Sequence, residues 1–205
     1  MKTKFSIFLV LFTFYFANAQ QDQQAETEMN SAKGITFSNG DMFLEGSIQI
    51  NTGGESDYYA VNPKFGYFLN DKFAVGGQVS FSSDKEEATN IKTEIFGVGA
   101  FARYYALELD QKRFKAYGEV GLGYGRNKVE NDTGSNDTNS LTANINVGLN
   151  YFLTKNIAVT FTLANILSYN SVSPEDGPSS DTFKLNINLF ENIFDQPKFG
   201  LLYRF

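Results

Sequence analysis

The 205-residue chain contains no cysteine, no histidine and no tryptophan, and only 4 prolines. The missing cysteine excludes disulfides, thiol catalysis, zinc–thiolate sites and a lipid anchor on an N-terminal cysteine. The missing histidine removes the usual general base and the commonest metal ligand together. Positive charge is also in deficit. With 17 Lys and Arg against 23 Asp and Glu, the net charge is −6, the wrong sign for nucleic acid, which calls for a basic footprint. Long hydrophobic runs are absent except for one of about twelve residues near the start, short of the ~20 that a membrane helix needs. Present in quantity are Phe (21), Tyr (11) and Gly (18). With so little proline, that is the composition of a β-sheet protein with tight turns, of a length that suits one domain.

Residues 1–19, MKTKFSIFLVLFTFYFANA, divide into the parts of a secretory signal peptide. Lys2 and Lys4 supply the positive start, Phe5 to Phe16 the apolar stretch, and Ala17-Asn18-Ala19 an A-x-A site, so cleavage is expected after Ala19. Residues 20–40 open with QQDQQAETEMNSAK, which has no apolar period and reads as a flexible polar lead-in to a domain spanning 41–205.

From Met42 onward the apolar period is two, not 3.6, and eight alternating runs follow. They are Met42 to Ile50, Tyr59 to Leu69, Phe73 to Phe81, Phe96 to Tyr104, Phe114 to Tyr124, Leu141 to Leu153, Ile157 to Leu163, and a last run within Phe183 to Phe205. Short turns (Asn70 to Lys72, Glu108 to Arg113, Thr154 to Asn156) alternate with mostly longer polar connections (51–57, 83–91, 126–140, 168–181). In an up-and-down meander this puts every short turn at one end, the asymmetry of outer-membrane barrels.

Alternation does not say which face points inward; the polar face decides. A soluble lipocalin-like barrel encloses an apolar ligand, whereas a membrane barrel has a polar interior. The polar face carries Glu45, Lys64, Gln78, Arg103, Glu119, Asn144 and Asn146 among many glycines. If Ile50 faces Tyr59 across the first hairpin, Glu45 faces Lys64. If the fourth and fifth strands turn about Gln111, Arg103 faces Glu119. Opposite charges matched at mid-strand are what a narrow, water-poor interior requires, because an unpaired buried charge is costly. The expectation is an all-β, eight-stranded antiparallel barrel that spans a membrane, its lumen packed and held by the pairs Glu45–Lys64 and Arg103–Glu119. A soluble carrier of an apolar ligand and a small gated channel are the alternatives.

The segments MFLEGSIQI, NPKFGYFLNDKFAVGG, GVGAFARYYA, FKAYGEVGLGYG, VGLNYFLTKNIAV and the terminal FGLLYRF resemble the small outer-membrane β-barrel family related to the OmpA and OmpX transmembrane domains. The resemblance runs from about Met42 to Phe205. It implies an outer-membrane location in lipid, short periplasmic turns, longer extracellular loops, and partners at those loops or on the barrel wall. It also implies that Phe199, Leu201, Tyr203 and Phe205, facing lipid on a final strand, form the C-terminal signal read by the outer-membrane insertion machinery. One departure stands out: FENIFDQP, Phe190 to Pro197, interrupts the approach to that strand. A bulge or break is expected there, with Pro197, which has no N–H for a ladder, as its site.

Other motifs carry less chemistry. GEVGLGYGR, Gly118 to Arg126, has the glycine density of a phosphate loop but opens no helix, so its glycines read as packing clearance. Asn131, Asp132, Asn136 and Asp137 match no calcium-loop spacing, and Glu86-Glu87 is a loop charge cluster. Barrel enzymes of this type generally use histidine. Glu45 and Glu119, each matched to a cation, are poor candidates for acid–base work. No enzyme activity, cofactor or metal is expected.

Overall fold

The computed structural model describes residues 22–53, 56–86, 89, 91–131, 134–174, 177–185 and 198–205. The alternating runs form β1 (Met42–Gly53), β2 (Ser56–Phe68), β3 (Phe73–Glu86), β4 (Ile91–Leu109), β5 (Phe114–Asn131), β6 (Gly134–Phe152), β7 (Ile157–Pro174), β8 (Ser180–Leu185) and β9 (Lys198–Arg204). Neighbours in the chain pair antiparallel from β1 through β8, and β9 pairs with both β7 and β1, which closes the ring. Eight staves therefore surround one lumen, the last made of β8 and β9.

The eighth stave is not continuous in register. Leu185 pairs with Leu167 and Lys198 with Thr162, so five steps along β7 face thirteen along the eighth stave. Eight residues are surplus between Leu185 and Lys198. The expected interruption at Phe190 to Pro197 falls in this interval, outside the described residues. Opposite it, β7 carries irregularities of its own, with register shifts against β6 between Ile145 and Asn146 and between Val147 and Gly148.

The outer face is apolar. Ile48, Leu122, Leu201 and Phe205 are each 60% exposed or more, which in water would be a severe defect and in lipid is a fitted surface. Exposed Tyr67, Tyr104, Tyr203 and Phe205 mark the short-turn end of this band, and Tyr59, Phe81, Phe96 and Tyr124 the other. Just past the second girdle the outer face turns charged: Arg126 pairs with Asp137, Lys128 with Glu130, and Lys92 with Glu94.

The strands do not stop at that boundary. At 19 residues, β4 and β6 would run roughly 60 Å, and even tilted by about 40° they exceed a ~25 Å apolar band. Much of the polar connection expected at 126–140 is thus ladder: Arg126 pairs with Asn139, and the pairing continues to Asn131 with Gly134. Residues 83–86, 168–174 and 180–181 likewise belong to β3, β7 and β8. These segments read as loops because both faces are polar above the membrane, which removes the period-two signal without removing the backbone pairing.

The N-terminal segment differs most from expectation. Asp22–Asn30 is a short helix, α1, and the chain after it enters the short-turn end of the barrel. Ala32, Ile35 and Phe37 are buried at 0%, 5% and 3% exposure, in one cluster with Phe43, Phe68, Tyr105 and Phe152. The Phe37 ring stacks on Phe68 with centroids 4.0 Å apart and meets Tyr105 at 4.9 Å. Backbone bonds hold the segment in place: Gly34 N–H donates to Gln111 O (2.7 Å) and Gly40 N–H to Phe68 O (3.0 Å). Its seat on the fourth-to-fifth-strand turn is unusual, since Asp110, Gln111 and Lys112 all have positive φ (49°, 54° and 68°). Left-handed non-glycine residues are unfavourable by ~1–2 kcal/mol each, so this turn is held by its surroundings. Phe37→Ala is expected to lower stability by about 3 kcal/mol in a urea titration of the folded barrel in detergent. A change under about 0.5 kcal/mol would show that the segment only rests against the mouth.

Candidate functional site

Among the described residues the lumen gathers the buried charges of this fold, and it is layered. At the short-turn end lies the aromatic floor just described, roofed by polar bonds. Lys115 is fully buried and donates to Ile35 O (2.9 Å) and to Glu108 Oε1. Arg204 donates to Asp41 Oδ2 at 2.7 Å, with its guanidinium 5.5 Å from the centre of the Phe37 ring.

Above the floor sits Arg103, fully buried, delivered from β4. Its Nη1 and Nη2 donate to Glu45 Oε2 and Oε1 at 2.6 and 3.0 Å, a bidentate fork. Its Nε and Nη2 donate to Glu119 Oε2 at 2.9 and 2.6 Å, and Nη1 also reaches Tyr105 Oη at 3.4 Å. Five bonds use the five N–H donors that a guanidinium possesses. Tyr117 covers its face at 4.0 Å, with Phe43 and Phe101 at 5.3 and 5.5 Å. Lys64 donates to the remaining Glu119 oxygen, Oε1.

Strand register puts Glu45 opposite Lys64 and Arg103 opposite Glu119. Arg103 does pair with Glu119, but Glu45 and Lys64 take other partners. Glu45 is held by Arg103 from across the lumen, and Lys64 reaches over to Glu119, so the expected two pairs are one four-residue network. The reason is curvature: in a narrow ring the far wall is as near to a long side chain as the neighbouring strand. Two carboxylates and two cations leave this layer neutral.

The expectation of a fully packed lumen also needs revision. Beyond the charge layer, on the side away from the short turns, is a cavity of about 660 Å³. Ser47, Asn62, Gln78, Asn146, Thr162 and Lys184 are among its lining residues. The glycines of GEVGLGYGR explain its width. They lie in β5, where a Cβ on Gly121 would stand 2.7 Å from Asn144 Oδ1 and one on Gly123 2.8 Å from Thr142 Oγ1. The neighbouring polar side chains lie flat against bare backbone.

Such an interior is the inverse of a soluble carrier barrel, with its charges inside and its leucines outside. Among the described residues no group of three or more His, Cys, Asp or Glu stands close enough to hold a metal ion. Asp137 pairs with Arg126, Glu86 accepts from Thr89, and Asp132 and Glu87 lie outside the described residues. Phe199, Leu201, Tyr203 and Phe205 all project from the outer face, exposed by 47–62%. Sequence reasoning missed Lys115, Phe37 and the Asp41–Arg204 pair. Lys115 was within reach, because the parity that puts Glu119 inside β5 puts Lys115 there too.

Fold and interior together define an eight-stranded transmembrane β-barrel with a polar, partly obstructed lumen. Residues 6–189 match the outer membrane protein beta-barrel domain family, and the chain belongs to that family. Its place is the lipid of the outer membrane. No curated protein matches the sequence at a significant level. Among solved structures, OprG from Pseudomonas aeruginosa is similar at 14% identity and a TM-score of 0.50, covering 82% of this chain and 97% of its own. Neisserial surface protein A aligns at 16% identity and 0.48, covering 82% and 98%. The attachment invasion locus protein Ail of Yersinia pestis aligns at 16% and 0.46, covering 82% and 99%. At these identities the likeness speaks for the fold alone.

Arg103→Lys is expected to destabilise the barrel by about 3 kcal/mol or more, since one ammonium cannot grip both carboxylates. A double-mutant cycle on Lys64→Ala and Glu119→Ala should give a coupling of about 1 kcal/mol or more, and one on Lys64→Ala and Glu45→Ala a smaller value. Equal couplings would return the pairing to the strand register.

Proposed function

We propose that this is a non-enzymatic outer-membrane barrel with a structural or surface-interaction role, its lumen closed by paired charges. One observation carries the reading: Arg103 has every donor engaged and both faces of the charge layer neutralised, directly above a floor sealed by Phe37. An ion crossing this layer would have to displace a buried, fully bonded network, a step of several kcal/mol. Glu45 and Glu119 are both committed to cations, which leaves neither free to relay protons. Interaction then falls to the strands that project beyond the lipid band, or to the wall itself. The signal peptide is removed after Ala19, and the lipid-facing residues Phe199, Leu201, Tyr203 and Phe205 present the C-terminal strand to the insertion machinery.

Planar-bilayer recording tests the closed lumen. The wild-type protein, checked as folded by a mobility shift on boiling, is expected to be silent at either polarity. Steady conductance from it would favour the small gated channel instead, and the sharpest version of that outcome is conductance that rises further in Glu119→Ala.

A further inference from the structure

We propose that the outward half of the lumen is a blind binding cup for a small anionic polyol, of the class of a sugar phosphate. The proposal rests on the closed floor of the preceding reading and adds a ligand to it. The cavity of about 660 Å³ falls within the ~300–1,000 Å³ range of small-molecule sites. Its floor includes Glu45 and Lys64, the upper members of the charge network, so a solute entering from outside is stopped short of the short-turn end.

The wall chemistry selects the ligand. Amides and hydroxyls dominate, with Asn62, Gln78 and Asn146 beside Ser80, Thr160 and Thr162. Such groups both donate and accept, which matches a molecule carrying several hydroxyls, while Val79, Leu163, Ala164 and Phe199 supply an apolar part of the lining. The glycines beneath them keep the centre open: a Cβ on Gly99 would stand 3.0 Å from Gln78 Nε2, so that amide lies along the wall, not across the lumen. Charge supplies the sign. The four ionised groups of the floor cancel, two against two. Lys184, directly opposite Ser168 on the β7–β8 ladder, lines the same cavity and makes no ion pair among the described residues. Lys184 is exposed at this wall and adds one positive charge above a neutral floor, which favours an anion locally despite the net charge of −6 on the whole chain.

Isothermal titration of the full-length folded protein in detergent with glucose 6-phosphate tests this. Saturable binding in the millimolar range is expected, weakened roughly fivefold or more by Lys184→Gln and retained by Lys184→Arg. Glucose, without charge, and inorganic phosphate, without hydroxyl-bearing carbons, should each bind more weakly. Absence of saturable heat up to about 10 mM, or equal affinity in Lys184→Gln, would overturn the cup. Inorganic phosphate binding as tightly as the sugar phosphate would overturn the polyol assignment. The boiling shift confirms that each variant is folded. Titration reads binding and the bilayer reads flux, so failure of the cup and failure of the closed lumen are distinguishable.

Discussion

Arg103 is a cation placed at the centre of a ring of eight strands, and most of the interior is arranged to make that tolerable. Removing a guanidinium from water is costly by several kcal/mol unless each N–H finds an acceptor. Two carboxylates and a phenol supply those acceptors here, and three aromatic faces supply the rest of the solvation. The second carboxylate would in turn leave excess negative charge, and Lys64 removes it. The small residues follow from the same demand. Gly148 lies beneath the Tyr117 ring, where any Cβ would collide with it, and Tyr117 is the residue that covers Arg103.

Much of this could be read from the chain. Strict alternation in the sixth run yields β6 with its inner Asn144, Asn146 and Asn150, and hairpin register identifies all four members of the charge network. Of their partners only Arg103 with Glu119 could be read; the bonds of Arg103 to Glu45 and of Lys64 to Glu119 could not, because contacts across a lumen depend on curvature and not on spacing. The projecting parts of β4 to β7 were hidden for another reason: with water on both sides, pairing persists but the hydrophobic code disappears. The floor segment was the hardest. Ala32, Ile35 and Phe37 share no period, and only the space they enter makes them a unit.

The two solvents also divide the outer wall. Below the Phe96 and Tyr124 girdle the wall needs only apolar area, and its residues are interchangeable in kind. Above it, Arg126–Asp137, Lys128–Glu130 and Lys92–Glu94 place alternating charges along exposed strands. Exposed pairs of this sort add ~0–1 kcal/mol each. Their effect is on solvation rather than stability, because charged side chains on the outer face keep these strands in water where they leave the apolar band.

The two ends of the barrel domain meet at one spot. Phe205 N–H donates to Met42 O at 2.9 Å, Arg204 holds Asp41, and the same guanidinium lies over Phe37. Closing the wall and seating the floor therefore draw on shared atoms, and each lowers the free energy of the other. A barrel built this way has no comfortable half-assembled state: a ring without its floor lacks part of the clasp on its last strand, and a floor without the ring has nothing to cover. The seam behaves as a latch with a single closed position.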